Sequence, residues 1–381
     1  MATDNNNKVL NVPNLRFPEF TEEWKETKIG DITSKVGSGV TPKGGSAVYK
    51  TSGHLFIRSQ NVGNGRFLLD DVAYIDEATH KKQINTELKD GDVLLNITGA
   101  SIGRTTVVNK NVEGGNVNQH VCIIRLLEDY SPNYICNYLL SYGGQKQIDS
   151  FQAGGNREGL NFEQIRSIKF SIPSFREQSK IASLLSLLEE RIATQNKIIE
   201  QLQSLIKGIV VSITAKTPNA RIDKCLVCHS STLQENNIED FGDFPVYGAN
   251  GICGYTVNAD FNEPAILIVK DGSGVGNVRF VNGRYSVIGT QNIFTPQNEI
   301  CLKYIFYCLQ AFNFVPYKTG MAIPHIYFKD YGKAKIYCPN FEQQVKIASQ
   351  IDLIESKIEI ATQLLNKYEK QKKFLLSNMF I

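Results

Sequence analysis

The sequence contains one stretch twice: Ile172-Pro-Ser-Phe-Arg-Glu-Gln-Ser-Lys-Ile-Ala182 and, 166 residues later, Cys338-Pro-Asn-Phe-Glu-Gln-Gln-Val-Lys-Ile-Ala348. Each stretch opens a long amphipathic segment, and seven of thirteen positions are identical between 180–192 and 346–358. A match of this density at a constant offset indicates an internal repeat, and a repeat decides the architecture before any single element is considered.

Both copies begin with a helix-start signal. Ser174 with Glu177, and Asn340 with Gln343, place a short polar residue three positions ahead of an acidic or amide side chain. This is the spacing of a capping box. A proline precedes each cap, where it costs the helix nothing. The pattern predicts two long helices, over 175–216 and 341–381.

Apolar residues then recur at alternating steps of four and three, in the same register in both copies. This spacing is typical of a coiled-coil seam, and two matched seams in one chain favour helices that pair with each other. Gln195 and Lys372 interrupt the seam at different layers, as residues that fix register do. The alternative is a single amphipathic helix lying on each globular domain. The residues predicted to pack helix against helix are Ile181, Leu185, Leu188, Ile192, Ile199, Leu202, Ile347, Ile351, Ile354, Ile358 and Leu365.

Length and composition limit the possible classes of protein. A chain of 381 residues predicts two or three domains. The formal net charge of +3 permits nucleic-acid binding without requiring it. The polar N-terminus predicts no signal peptide, and no apolar run is long enough to span a membrane. We therefore expect a cytoplasmic protein without a membrane partner, whose eight cysteines are reduced thiols.

The repeat predicts an α+β fold with internal pseudo-two-fold symmetry. Two α/β domains would be joined by two long helices that form an antiparallel coiled coil. The predicted segments are a flexible arm (1–13), a first domain (14–174), a central helix (175–216), a second domain (217–340) and a C-terminal helix (341–381). Within the first domain, a helix is predicted over Pro132–Asp149.

The repeat continues into the globular domains. Gly99-Ala-Ser-Ile-Gly103 matches Gly272-Ser-Gly-Val-Gly276, and Asn118-Gln-His-Val121 is aligned with Thr290-Gln-Asn-Ile293. The glycine pairs predict tight turns between strands. A dinucleotide-binding loop is the weaker alternative, because the third glycine of that motif is missing.

No catalytic or metal-binding signature is found. The chain lacks a phosphate-binding loop of the Gly-x-x-x-x-Gly-Lys type and a His-Glu-x-x-His motif. Cys225-Leu-Val-Cys228-His229 resembles a haem-attachment pattern, but two core thiols are the preferred interpretation. We therefore predict no catalytic residue, no metal site and no cofactor bound by this chain.

Polar side chains beside the glycine-rich turns are candidates for contact with DNA. Arg, Asn and Gln can read base edges with two hydrogen bonds, and Lys and Arg hold phosphates. A solvated surface role remains the alternative for each residue, and Asn118 and Gln119 could equally cap a turn. The candidates are Arg58, Gln60, Asn61, Arg66, Arg104, Asn118, Gln119, Arg157, Lys270, Asn277, Arg279, Gln291, Asn292, Lys318 and His325.

Taken together, these motifs resemble the DNA-specificity (S) subunit of type I restriction-modification enzymes. The resemblance rests on the start Val12-Pro-Asn-Leu-Arg-Phe-Pro-Glu-Phe20 with Trp24, on Gly91-Asp-Val-Leu-Leu95, on Leu160-Asn-Phe162 and on the two helix entries. It covers nearly the whole chain. The second domain departs most from the pattern, because it lacks a clear Trp and a Thr-Pro-x-x-Gly loop.

The resemblance implies two target-recognition domains, each reading one half of a bipartite site in double-stranded DNA. It implies that the long helices set the spacer and dock two methyltransferase (M) subunits, to which restriction (R) subunits add. S-adenosylmethionine, ATP and Mg²⁺ would then bind to those partners. An alternative from the residues alone is a coiled-coil scaffold whose two heads bind proteins or glycans. A complete enzyme with a catalytic head is a third reading, against which the missing motifs argue.

Overall fold

The structure is a computed structural model that describes residues 10–152, 159–234, 236, 238–320 and 322–381, with only the backbone of residues 45 and 46. It divides into two compact units. The first holds the chain up to Asn196 together with Leu364–Ile381, and the second holds Lys197–Gln363. Each of the two predicted long helices therefore contributes residues to both units.

The first unit is built on three small sheets. Its strands are β1 (Lys25–Lys28), β2 (Thr33–Ser38), β3 (His54–Ile57), β4 (Ala73–Ile75), β5 (Val93–Asn96), β6 (Thr105–Val107), β7 (Asn116–Val117), β8 (Val121–Leu126) and β9 (Lys169–Ile172). The order is β2-β8-β5-β6 in a four-stranded sheet, β4-β3-β7 in a three-stranded sheet, and β1-β9 in a pair. Its helices are α1 (Glu77–Lys82), α2 (Pro132–Leu140), α3 (Tyr142–Gln152), α4 (Phe162–Ser167) and the first part of α5 (Phe175–Thr214).

The second unit repeats this arrangement. Its strands are β10 (Ala220–Arg221), β11 (Leu226–Ser230), β12 (Phe244–Gly248), β13 (Gly251–Thr256), β14 (Ala265–Val269), β15 (Val278–Val281), β16 (Ser286–Val287), β17 (Gln291–Pro296) and β18 (Lys335–Ile336). The sheets run β11-β17-β14-β15, β13-β12-β16 and β10-β18. Its helices are α6 (Ile222–Cys225), α7 (Leu302–Gln310), α8 (Phe328–Tyr331) and the first part of α9 (Phe341–Asn378). The predicted α+β repeat is thus confirmed at the level of strand order.

Strand register corrects one part of the predicted repeat. β5 pairs Asn96 with Val121, and β14 pairs Val269 with Gln291. Because the two ladders are equivalent, Gln291 takes the place of Val121, and the sequence alignment of Gln291 with Gln119 is wrong by two residues. The sequence alignment rested on a short match of amide residues. The register of the strands is fixed by hydrogen bonds along the whole ladder and is therefore the stronger evidence.

The long helices pack antiparallel within each unit. In the first, Ile181, Leu185 and Leu188 of α5 share a core with Leu375 and Met379 from the end of α9. In the second, Val210 and Ile213 from the end of α5 share a core with Ala348 and Ile351 from the start of α9. Seam positions are buried or half-buried throughout, including Ile192, Ile199, Leu202, Ile347, Ile354, Ile358 and Leu365. The predicted antiparallel pairing of the two long helices is therefore confirmed.

One buried glutamine explains the repeated helix entry. The Oε1 of Gln178 accepts the backbone N–H of Ser131 at 3.0 Å, and its amide donates to the carbonyl of Pro173 at 3.0 Å. Gln344 makes the same two bonds in the second unit, to Cys301 at 3.0 Å and Pro339 at 2.8 Å. Gln178 therefore ties α5 to the start of α2, and Gln344 ties α9 to the start of α7.

Two local predictions are corrected. The predicted helix Pro132–Asp149 is two helices, because Ser141 is extended and its hydroxyl accepts the backbone N–H of Gly144 at 3.3 Å. The predicted arm is not loose over its last residues: the amide of Asn11 donates to the carbonyl of Trp24 at 2.7 Å and to Ser171 at 3.1 Å. Residues 1–9 of the arm lie outside the described residues.

Candidate nucleic-acid interface

The two glycine turns have the same backbone conformation. They join β5 to β6 and β14 to β15, and the φ angles are 71° and 86° at Gly99 and Gly103, against 91° and 90° at Gly272 and Gly276. Only glycine adopts this conformation readily. The turn interpretation is confirmed, because each loop connects neighbouring antiparallel strands. Each unit therefore has a fixed turn around which polar side chains collect.

In the first unit these side chains form a hydrogen-bonded chain. The Oε1 of Gln119 accepts the backbone N–H of Thr41 at 3.0 Å, and the Gln119 amide donates to His120 Nε2 at 3.2 Å. His120 Nδ1 lies 2.5 Å from the Thr98 hydroxyl. This network assigns the proton of a neutral His120 to Nδ1. Gln119 is exposed and lies between Thr41 and His120 in this network.

In the second unit a charged pair stands at the equivalent place. His325 Nδ1 is 2.6 Å from Asp271 Oδ1, and both side chains are about one-third exposed. Asp271 follows β14 as Thr98 follows β5. Lys270 is half-buried beside this pair, and Lys318 is exposed. The two units thus have different polar groups at the same position of their common strand arrangement: a neutral network in the first and a histidine–aspartate pair in the second.

Four of the predicted DNA-contacting side chains are buried. Asn61 donates to the carbonyls of Leu68 at 2.9 Å and Asp71 at 2.8 Å, and Asn118 accepts the backbone N–H of His120 at 3.1 Å. Gln291 donates to the carbonyl of Tyr247 at 3.0 Å. Asn292 is also buried. Buried amides are hydrogen-bonded by the protein's own groups. We therefore do not include these four side chains in the proposed DNA interface.

Arg58 and Gln60 converge on one carboxylate. Arg58 NH2 lies 3.2 Å from Asp71 Oδ1, and the Gln60 amide donates to Asp71 Oδ2 at 2.6 Å. The Arg58 guanidinium also lies 5.7 Å from the centroid of the Tyr49 ring. Asp71 is exposed, so contact of Arg58 with a phosphate would require this pairing to open.

Arg66 and Arg104 are exposed and line a cavity of about 630 Å³ in the first unit. The cavity also contains Lys372 and Lys373 from the end of α9, which were not predicted as contacts. Lys372 forms an ion pair with Glu189 of α5. A lysine at a seam position was the one available signal, since a coiled-coil core rarely holds an unpartnered charge.

The remaining candidates lie in the second unit or outside the described residues. Asn277 is exposed directly after the glycine turn. Arg279 is half-buried, and its guanidinium lies 5.9 Å from the centroid of the Tyr247 ring. Arg157 falls in residues 153–158, which the structure does not describe.

The motif Gly91-Asp-Val-Leu-Leu95 has a structural explanation. Asp92 is buried and binds Arg125 of β8 through two bonds of 2.7 Å, from Nε to Oδ1 and from NH2 to Oδ2. The hydrogen bonds to Asp92 raise the pKa of Arg125 above its ordinary value. This pair links the start of β5 to β8, at the opposite end of β5 from the glycine turn.

The described residues contain no cluster of three or more histidine, cysteine or acidic side chains arranged to hold a metal ion. Cys225 is buried, Cys228 is half-buried, and His229 Nε2 lies 2.8 Å from the Thr295 hydroxyl. Within the described part of the chain, no helix is both long and apolar enough to cross a bilayer.

Comparison with known proteins gives consistent matches. The family model described as type I restriction modification DNA specificity domain matches residues 21–204 and 227–370. A curated relative from Methanocaldococcus jannaschii, named as a type I restriction enzyme MjaX specificity subunit, is 22% identical over 97% of this chain and 96% of its own.

Solved structures show the same fold. The crystal structure of the S subunit of a type I restriction-modification system from M. genitalium matches with a TM-score of 0.65 and 16% identity, over 97% of this chain and 99% of that one. A structure described as bearing on complex assembly and conformational transition of the type I R-M system has a TM-score of 0.54 and 12% identity, over 93% and 96% of the two chains.

Proposed function

Because the chain belongs to the family of type I restriction modification DNA specificity domains, we propose that it reads a bipartite site in double-stranded DNA, with one half-site for each unit. The observation that carries this proposal is that both units have the same strand order and glycine turn, but different polar side chains beside the turn. Both units hold the same glycine turn on the same strand order. A shared frame with different polar groups suits two readers of different sequences.

In the first unit the reading groups we propose are Gln119 and His120, supported by Thr41 and Thr98. An exposed amide can make two hydrogen bonds to a base edge. Arg66 and Arg104 would hold phosphates, with Lys373 as a third cation in the same cavity. Arg157 stays a candidate by sequence.

In the second unit the proposed reading groups are Asn277, Arg279 and His325. Lys270 and Lys318 would hold phosphates. Asp271 keeps His325 in place through the 2.6 Å contact, and a carboxylate at this position can also accept the amino group of cytosine. The two units then differ in hydrogen-bonding pattern as well as in charge.

We further propose that each unit docks one M subunit through apolar residues outside the helix seam. The first unit exposes Leu187 of α5 and Leu364 of α9, and the second exposes Ile198 of α5 and Leu353 of α9. At the 166-residue offset Leu187 matches Leu353, and Ile198 matches Leu364. Each unit therefore offers the same pair of aliphatic residues, which suits two copies of one partner.

The chemistry would lie in the partners of this chain. Methylation would use S-adenosylmethionine on the M subunits, and cleavage would use ATP and Mg²⁺ on R subunits that join the complex. In this division the present chain binds DNA and the M subunits, and the long helices fix the spacer between half-sites. Family membership favours this function over a scaffold with protein- or glycan-binding heads.

The test is a methylation map. The chain is co-expressed with the M subunit of its own system in a host that lacks other adenine methylation, and modified adenines are located by sequencing. We expect one bipartite motif with a spacer of constant length. A continuous motif would contradict the proposal for two readers, and the absence of any motif from an active complex would contradict DNA recognition altogether.

Salt dependence tests the phosphate contacts. Binding of the complex to a duplex with the mapped site should weaken steeply as salt increases. Arg66→Ala and Arg104→Ala should each lower the slope by about one, without changing the motif. Lys81→Ala is a matched control, since this exposed lysine pairs with Glu77 on α1. Unchanged slopes for both arginine variants would remove them from the interface.

A further inference from the structure

Two thiols of the second unit lie where the start and the end of its globular part meet. Cys225 ends α6, and Cys338 lies between β18 and α9. The side-chain amide of Asn219 donates to the carbonyl of Cys338 at 2.9 Å, and its oxygen accepts the backbone N–H of Cys338 at 2.7 Å. The backbone N–H of Ile222 donates to the carbonyl of Ala334 at 3.0 Å. These hydrogen bonds hold the two chain segments together at this place.

The side chains of the two cysteines are also in contact. Cys225 belongs to the hydrophobic core of the second unit and is buried, whereas Cys338 packs against that core and is half-buried. Their thiols share a hydrogen bond. Two thiols in such contact need only a small movement to reach the geometry of a disulfide.

The shared hydrogen bond gives the two thiols different reactivity. It lowers the pKa of Cys338 and, together with burial, raises the pKa of Cys225. The S–H of Cys225 therefore donates to the sulfur of Cys338, which favours a thiolate on Cys338. The thiolate is the reactive form, and Cys338 is also the more accessible of the pair. Cys228 is half-buried as well, but burial raises its pKa to about 11.

The first unit has no thiol at either equivalent position. Cys338 matches Ile172 at the 166-residue offset, and Cys225 matches Ile32 by strand register. Both isoleucines are buried in the core of the first unit. The same strand arrangement therefore forms with aliphatic side chains at these places. The fold does not require two thiols here, so the pair points to chemistry and not to packing.

We propose that Cys225 and Cys338 are a redox-active pair that a hydroperoxide oxidises to a disulfide. The Cys338 thiolate first attacks a peroxide oxygen: the S–O bond forms, the O–O bond breaks, and the leaving oxygen takes up a proton as alcohol or water. Cys338 is then a sulfenic acid. The sulfur of Cys225 next attacks that of Cys338: the S–S bond forms, the S–O bond breaks, and hydroxide leaves with the proton of Cys225 as water. The two thiols lose two electrons, which the peroxide gains.

The disulfide closes a loop that contains nearly the whole second domain. It joins the start of that domain to the segment that leads into α9. A link over so long a loop restricts the unfolded chain and thereby stabilises the folded second unit. The modification acts on one unit alone, and it does not depend on the DNA-reading function proposed above.

The test uses the purified full-length chain, first reduced and then treated with hydrogen peroxide in the folded state. Remaining thiols are blocked under denaturing conditions, and the chain is digested without reductant for mass spectrometry. We expect a peptide pair joined through Cys225 and Cys338, which dithiothreitol separates. Cys228 should stay reduced because its pKa is raised. In the oxidised chain, amide hydrogen exchange from the core of the second unit should slow about tenfold or more, with the first unit unchanged.

Single variants assign the role of each thiol. In Cys225→Ser the sulfenic acid of Cys338 has no partner thiol, so it should accumulate and be labelled by dimedone. In Cys338→Ser we expect no dimedone label on Cys225, because the attacking thiolate is gone. Cys228→Ser is the matched control, since it removes a half-buried thiol of the same unit. It should form the disulfide as wild type does.

Three results would overturn the redox pair. They are the absence of the joined peptides from the oxidised folded chain, their appearance only after unfolding in urea, or equal dimedone labelling of the two single variants. The first two are measured on the wild-type chain, so they stand even where a variant fails to fold. All three are obtained without DNA or M subunits, so failure of the proposed function would leave them unchanged.

Discussion

The two units share a frame but support its glycine turn differently. In the first, the side chain of Gln145 from α3 donates to the carbonyl of Gly103 at 3.1 Å. In the second, Phe314 directly precedes a short 3-10 helix (Val315–Tyr317), and its side chain packs against Gly276, 3.1 Å from where a Cβ would be. The turn conformation is the same in both. The conformation of the glycine turn therefore does not depend on which residues pack against it. The side chains around the turn can differ between the two units.

A second difference lies at the other end of β5. The buried pair of Asp92 and Arg125 links β5 to β8 in the first unit. By strand register the equivalent residues are Ala265 and Thr295 in the second unit, because Val93 pairs with Ile124 as Ile266 pairs with Phe294. One copy of the frame thus forms without the ion pair. The pair is a local solution and not a requirement of the fold.

The strongest test of independence between the units is an exchange. Replacement of 217–338 with the corresponding domain of another family member should change one half-site of the methylation motif completely and leave the other unchanged. The physical reason is that each unit has its own hydrophobic core. The measurement is the methylation map, with the unexchanged chain as control. A change in both half-sites would contradict independent reading.

The role of the Asp92–Arg125 ion pair can be tested by replacing both residues with those found at the equivalent positions of the second unit. Asp92→Ala leaves Arg125 without its partner, and we expect a loss of about 3–5 kcal/mol in the free energy of unfolding of the first unit. The double variant Asp92→Ala/Arg125→Thr carries the residues of the second unit and should recover at least half of that loss. Urea unfolding measures both. Equal losses in the single and double variants would show that the pair is essential to this copy.

The glutamines that anchor the long helices should behave alike. Gln178→Ala and Gln344→Ala each leave a backbone N–H unpaired, of Ser131 or Cys301, and each should cost about 1–3 kcal/mol. The two losses should agree within about 0.5 kcal/mol, because the bonds are equivalent. Hydrogen exchange followed by mass spectrometry reports each unit separately. A large difference between the two losses would show that equivalent hydrogen bonds do not contribute equally to the stability of the two units.

The smallest expected effect concerns the charged seam position. Lys372 corresponds to Ile206 at the 166-residue offset. Lys372→Ile/Glu189→Gln removes a half-buried ion pair and supplies an apolar seam residue, so stability should stay within about 1 kcal/mol of wild type or increase. Glu189→Gln alone is the control. A clear loss in the double variant would assign this pair a structural role beyond the register of the helices.

Cysteine reactivity gives a check that does not depend on stability. Burial raises the pKa of both Cys122 and Cys136 in the first unit to about 12. At pH 7 to 8 these thiols should resist iodoacetamide in the folded protein, whereas Cys253 of the second unit is exposed and should be alkylated first. Peptide mapping over time measures this. Early labelling of Cys122 would contradict the described core.

Much of the architecture could be predicted because periodic features are long. A seam that recurs along both long helices accumulates signal, and the glycine turns are set by a backbone conformation that few residues adopt. The site could be predicted only in part. Gln119, Lys318 and His325 are accessible, but Asn61 and Gln291 have the same side-chain chemistry and are buried. Composition cannot distinguish a reading amide from a structural one.

The sequence by itself therefore determined the repeat, the paired helices and the two glycine turns, since each depends on local spacing or on one residue's conformational freedom. Only the tertiary structure decided the strand register that aligns Gln291 with Val121 and the pairing of His325 with Asp271. These depend on hydrogen bonds and burial between segments that are distant in the chain, and such contacts leave no periodic trace in the sequence.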